Sequence, residues 1–332
     1  MHAFQFAAVR LGPFALALPL MILAGMCPAA EWKPERGVEI VAPSGAGGST
    51  DRTARVVQRI LQERKLVDVP VTVTNKPGGS GTIGLNYLNQ HVGDGHYLII
   101  ATTGAISNHI MGLIPYNHND FTALAMLFDE YLGVTVKMDS PLRSGRELAE
   151  RLRKDPEALS IGISTSVGGA NHTALMVCLR AAGINIRRLK TVVFPGGAAS
   201  TTALLGGHVD AINTAPGNIV EHIKAGKLRV LALSSPQRLG GLFATVPTWR
   251  EQGVNADSGS WRGMMGPKGM TPQQIAYWDR VFAALVRTDE WKKDLEENYW
   301  ENSYADSKGA KKRLDEEYAE FKAVLGELGY AK

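Results

Sequence analysis

Residues 38–51 read Val38-Glu39-Ile40-Val41-Ala42-Pro43-Ser44-Gly45-Ala46-Gly47-Gly48-Ser49-Thr50-Asp51. A short apolar run, a loop of glycines and hydroxyls, and a helical pattern follow one another directly. The run, Val38–Ala42, is too short for a helix and ends at Pro43, so it reads as a strand. From Thr50 to Arg64, Ala54, Val57, Ile60 and Leu61 recur at helical spacing. Arg52, Arg55 and Arg59 line another face of that helix, read as a solvated one. Strand, glycine loop and helix form the repeating unit of a parallel sheet, and such sheets bind ligands at the carboxyl ends of their strands.

The unit recurs along the chain. Further strands are predicted at Val71–Thr74, Tyr97–Thr102, Ala123–Phe128, Gly133–Lys137, Ser160–Ser164, Thr191–Phe194, Ala211–Asn213, Arg229–Leu233 and Arg262–Gly266, with helical patterns between most of them. From Pro272 onward the pattern is helical only, over Gln273–Arg287, Glu290–Asn298 and Ser307–Leu328. The last helix is expected to dock by one face onto a domain. The fold class is therefore α/β with mostly parallel sheets.

Glycine- and hydroxyl-rich loops follow several strands: Asn75–Gly84, Thr102–Ala105, Ser164–Gly169 and Phe194–Ser200. Glycine lets the backbone approach a ligand, and a helix start adds unpaired N–H groups and the positive end of a dipole. The ligand implied is an anion held without an ion pair. Any one loop also reads as an ordinary N-cap or tight turn, so the argument needs two loops facing each other. The candidate binding residues are Ser44, Gly47, Gly48, Ser49, Thr50, Asp51, Thr103, Ser164, Gly168, His172, Gly196, Gly197, Ala198 and Ser200. Asp51 is expected to cap its helix and fix the loop, or to read an amino group on the ligand. His172 stands at a helix start, where it either lines a cleft or bonds to backbone.

The chain has 332 residues, 45% hydrophobic and 20% charged, which excludes intrinsic disorder. Leu11–Ala30 carry no charge. Arg10 precedes an apolar run from Phe14 to Met26, and small residues follow in Cys27-Pro28-Ala29-Ala30. This is the order of a secretory signal peptide over residues 1–30, cleaved near Ala29 or Ala30, and it implies export to the periplasm. The remaining length suits two domains. The formal charge of +4 falls to +3 with loss of Arg10. No basic block is dense enough for nucleic acid. Cys27 and Cys178 are the two cysteines. Loss of Cys27 with the leader leaves Cys178, in an apolar helical run, as a buried small hydrophobe.

Other chemistries are not supported. Gly79-x-Gly81-x-x-Gly84 lacks the acidic residue that would hold a ribose about 20 positions on. There is no Gly-x-Ser-x-Gly elbow, and Gly226-Lys227 lacks a phosphate loop. The eight histidines are scattered without metal-ligand spacing. No catalytic residue, metal or cofactor is expected.

The motifs together resemble the extracytoplasmic solute receptors of tripartite tricarboxylate transporters, the Bug receptors. Pro43, Gly47, Gly48 and Asp51 meet one family pattern, and Asn75, Pro77, Gly78 and Gly81 a second. Asp94-Gly95-x-Tyr97, Pro115-Tyr116, Gly206–Asp210, Ala225–Arg229 and Val246–Gly253 extend the likeness along nearly all of the exported chain. Phe194-Pro195-Gly196-Gly197 stands where the family usually has Tyr-Lys-Gly, so Pro195 removes a side chain and a backbone donor. The resemblance implies a type II periplasmic-binding-protein fold. Lobe I would be 31–130 and 258–332, and lobe II 131–257. The chain would cross near Phe128–Gly133 and return near Ser258–Gly263, leaving a cleft between. It implies ligand contacts from Ser44–Asp51 and Pro195–Thr201. The ligand would be a small carboxylate: a di- or tricarboxylate, an acidic amino acid or an aromatic acid. The partners would be the transporter's membrane subunits, and the receptor a monomer. A sensing domain for a signalling partner and a secreted α/β enzyme stand as alternatives.

Overall fold

The structure, a computed structural model, describes residues 1–3, 31–164 and 166–332. The expected leader, except for Met1–Ala3, lies outside the described residues. The chain divides into two units, Met1–Glu31 and Trp32–Lys332, and every described strand and helix belongs to the second.

The elements run β1 (Val38–Ala42), α1 (Ser49–Glu63), β2 (Val71–Asn75), α2 (Thr82–Leu88), β3 (Tyr97–Ala101), α3 (Gly104–Ile110), β4 (Phe121–Tyr131), β5 (Gly133–Lys137), α4 (Gly145–Lys154) and β6 (Ser160–Ser164). They continue with α5 (Ala170–Ala181), β7 (Lys190–Phe194), α6 (Gly197–Leu205), β8 (Ala211–Thr214), α7 (Val220–Lys224), β9 (Leu228–Leu233), β10 (Gly259–Pro267), α8 (Pro272–Leu285), α9 (Asp289–Asn298) and α10 (Ser307–Glu327). Each predicted strand is present.

Two five-stranded sheets result, ordered β2-β1-β3-β10-β4 and β7-β6-β8-β5-β9. Each is mixed. β1 pairs in parallel with β2 and β3, and β6 with β7 and β8, whereas β10 and β5 run antiparallel to both of their neighbours. The apolar runs reflect burial on both faces. In the first sheet Val38, Ile40, Leu98 and Ile100 pack with the stripe of α1 and with Trp278 and Phe282 of α8. Val41 and Ile99 point the other way, toward Ile106 of α3 and Leu314 and Phe321 of α10. Cys178 lies fully buried in the core of the second sheet, where loss of solvation pushes its thiol up.

β4 and β10 are longer than the apolar runs suggested because they pair with each other, from Gly259 beside Tyr131 to Pro267 beside Phe121. β4 hands the chain to β5 across the single residue Leu132, and β10 returns beside it. The segment before α10 straps this crossing, with bridges Met126–Ala305 and Asp129–Glu301. Arg313 of α10 grips the Asp129 carboxylate at 2.9 and 2.6 Å and reaches Glu317 at 3.0 Å. The Trp261 indole N–H donates to Glu317.

α10 corrects one expectation. It does not dock on a single domain by one face. Leu314, Phe321 and Leu325 enter the core beside the first sheet, Val324 enters the core of the second, and Arg180 of α5 bonds Glu327 at 2.7 Å. At 1.5 Å per residue the helix is about 30 Å long, enough to span both.

Burial, the largest influence, raises the Glu317 carboxyl to about 7, although Arg313 and the Trp261 N–H pull it back. Unfolded, it titrates near its ordinary 4.5. Between those values the folded protein holds the extra proton, so stability falls as pH rises through that window and levels off above it. Glu317→Gln keeps an acceptor for Trp261 and is expected to reduce that fall. Urea denaturation at about pH 5 and about pH 7.5 measures it; equal losses in both proteins would show that Glu317 does not carry the effect.

Candidate functional site

A cleft of about 1200 Å³ gathers residues following the carboxyl ends of β1, β3, β6, β7 and β8, so both sheets contribute walls. At its first wall the β1–α1 loop is locked by side chains. Ser44 Oγ accepts the Thr50 hydroxyl at 2.7 Å and the Asp51 N–H at 3.3 Å. Buried Asp51 accepts the Gly47 N–H at 2.9 Å, Asn75 Nδ2 at 2.8 Å and Arg55 Nε at 3.0 Å. Burial alone would raise the Asp51 carboxyl, but these bonds outweigh it and hold the group below its ordinary value. Asp51 thus fixes the loop by reaching back to Gly47. The N-cap itself is Gly48, which has no side-chain cap.

The locked loop leaves donors free. The N–H groups of Ser49 and Thr50 have no acceptor among the described residues. On the wall that the second sheet contributes, α6 starts in the same way: Gly196 is its N-cap without a side-chain bond, and the N–H groups of Gly197 and Ala198 have no acceptor among the described residues. Both helices aim the positive end of their dipole at the ligand space. Asn218 closes on α6 and is itself held to Thr214 Oγ1 at 3.0 Å.

Of the candidates named from sequence, Ser44, Gly47, Gly48, Ser49, Thr50, Thr103, Ser164, Gly196 and Gly197 line this cleft. Asp51, Gly168, His172, Ala198 and Ser200 do not. His172 is buried and accepts the Gly168 N–H at 3.1 Å, and lost solvation lowers its ring to about 4. It therefore braces the β6–α5 loop as a neutral ring. Ser200 is buried, with its hydroxyl donating to the Gly197 carbonyl at 2.9 Å. Among the described residues no group of three or more His, Cys, Asp or Glu is placed to hold a metal ion.

Residues of β4 and β10 also line the cleft and were not among the candidates read from sequence. Glu130 from the end of β4 and Ser260 and Arg262 from the start of β10 line it, with Trp300 beside them. The sequence reading needed no ion pair to hold the anion, yet the Arg262 side chain, 7% exposed, forms part of the wall. The available signal was a lone charge in the strand Gly-Ser-Trp-Arg-Gly-Met-Met-Gly-Pro, which is otherwise uncharged and buried throughout.

The family model described as the tripartite tricarboxylate transporter family receptor matches residues 53–330. The chain belongs to this receptor family. Protein BugT of Bordetella pertussis is 31% identical over 259 residues, 76% of each chain. A TctC solute-binding protein from Polaromonas superposes with a TM-score of 0.77 at 27% identity, over 89% of this chain and 99% of that one. The R. palustris protein Rpa4515, solved with adipate, gives 0.73 at 25%, over 90% and 99%. The fold is thus the two-lobe α/β fold of periplasmic solute receptors, and the family's members are receptors, not enzymes.

The walls depend on close backbone approach at two glycines. A Cβ on Gly48 would stand 2.6 Å from Ser44 Oγ, and one on Gly197 would overlap the Asn218 amide. Gly48→Ala is expected to displace Ser44, break its two accepted bonds and cost about 1–3 kcal/mol in urea denaturation. Far-UV circular dichroism should be retained. Unchanged stability would show that Ser44 does not hold the loop.

Proposed function

We propose that this receptor captures a small carboxylate between the two lobes and presents it to the membrane subunits of a tripartite tricarboxylate transporter. The observation that carries the reading is the pair of helix starts, α1 from the first sheet and α6 from the second, that line one cleft with N–H groups lacking an acceptor among the described residues. Such donors suit a carboxylate, and a similar receptor was solved with adipate. Micromolar binding needs about 8 kcal/mol. Charge-assisted hydrogen bonds contribute about 1.5–3 kcal/mol each, so four or five, with burial of the ligand body, supply this after ordering costs.

In this reading the receptor works as an exported monomer, cleaved near Ala29 or Ala30. Residues 31–130 and 258–332 form one lobe and residues 131–257 the other. Ser44, Gly47, Gly48, Ser49, Thr50, Thr103, Ser164, Gly196 and Gly197 face the ligand. A ligand that bonds both walls favours the closed form over the open one, and the lobes hinge at β4 and β10.

The test is a thermal-shift and calorimetric screen of succinate, glutarate, adipate, aspartate, glutamate and benzoate. An acid at about 100 times its Kd stabilises by about 2.7 kcal/mol. The tightest acid is expected to reduce the radius of gyration in solution scattering and to perturb fluorescence, Trp261 being fully buried in the returning strand. No stabilisation by any acid would remove the carboxylate reading. Tight binding with unchanged scattering would remove the two-wall clamp.

A further inference from the structure

Arg262 is a buried cation whose nearest carboxylate is not in hydrogen-bond contact. Its Nη1 donates to Ser260 Oγ at 2.7 Å and to the Trp261 carbonyl at 3.0 Å. Nη2 reaches Ser49 Oγ at 3.3 Å, on the first turn of α1. Nε has no acceptor among the described residues. Glu130 is 3.6 Å from Nη2, beyond a hydrogen bond, and its other oxygen is held by the Trp300 indole N–H at 3.1 Å. The other cations of the cleft wall are exposed: Lys224 bonds Glu221 at 2.9 Å, and Arg52 lies 5.0 Å over the Trp300 ring. A charge taken out of water without a close partner is costly. Here it reaches the side chain of Ser49, whose own N–H and that of Thr50 have no acceptor among the described residues, and all three residues line the one cleft.

We infer that Arg262 is a specificity-determining residue of the cleft: with the α1 N-terminus it ion-pairs one carboxylate of the ligand, and so makes the receptor discriminate by ligand charge. This rests on the carboxylate-receptor reading and adds to it a direct ion pair on one wall. A dicarboxylate then places one group at Arg262 and the other at the neutral donors of α6. A monocarboxylate of the same length leaves one wall unused. Glu130 tunes the strength of the pair, because its negative charge competes with the ligand for the guanidinium.

Three chain-matched pairs of acids test this by calorimetry: succinate with butyrate, glutarate with pentanoate, and adipate with hexanoate. In the wild-type protein the best pair is expected to show a dicarboxylate preference of about 10- to 100-fold, the range of one charge-assisted bond. Arg262→Gln is expected to bring that preference below about 3-fold. Glu130→Gln keeps an acceptor for Trp300, withdraws the competing charge and is expected to raise dicarboxylate affinity, a gain that misfolding cannot produce. Equal affinity for both members of every pair in the wild type, or a preference that survives in Arg262→Gln, overturns the assignment of Arg262. So does Glu130→Gln binding dicarboxylates no more tightly than wild type. Binding of benzoate alone also overturns it, yet leaves the carboxylate reading standing. Failure of every acid to bind the wild-type protein removes both.

Discussion

β4 and β10 lie antiparallel at one edge of the first sheet, and at the same end β4 passes the chain to the second sheet and β10 receives it back. Both sheets depend on that crossing. β10 completes the first sheet only by standing between β3 and β4, and β5, one residue beyond β4, stands between β8 and β9. A chain that crosses twice side by side holds its lobes at a common edge and leaves their strand ends facing a shared space. The Asp129–Arg313–Glu317–Trp261 network pins the crossing to α10, which is anchored in the cores on both sides.

The cleft follows from this arrangement. Parallel strands that end at one edge deliver their loops there, and the helices that follow start there with their dipoles aimed inward. The β1–α1 loop shows how such a site stays rigid without spending its donors. Asp51, Asn75 and Ser44 satisfy the loop, and the N–H groups of Ser49 and Thr50 keep no acceptor among the described residues. The start of α6 supplies neutral donors, with Lys224 nearby paired to Glu221, whereas the buried guanidinium of Arg262 stands beside the start of α1.

Much of this was legible in the sequence, for physical reasons. Strands buried on both faces read as continuous apolar runs, and β1, β5 and β6 carry the bounds that their runs suggested. Glycine loops after strands marked the helix starts, since those positions need backbone approach rather than a particular side chain. Features that depend on non-local packing were not legible. β4 and β10 gained their outer residues from each other, the antiparallel place of β5 is set by topology, and the span of α10 depends on where the second core lies. His172 and Ser200 have the residue types of a site, but tertiary packing turned them toward the loop backbone. Arg262 carries no such signal, because glycine loops mark an anion site in sequence and this side chain comes from a strand.

Whether one small acid touches both walls at once is decided by a crystal structure of the protein with the tightest-binding acid of the screened set. A ligand carboxylate is expected within about 3 Å of the Ser49 and Thr50 N–H groups beside Arg262, with the far end of the ligand on the Gly197 side. An acid seated on one wall alone, or outside the cleft, would contradict that placement.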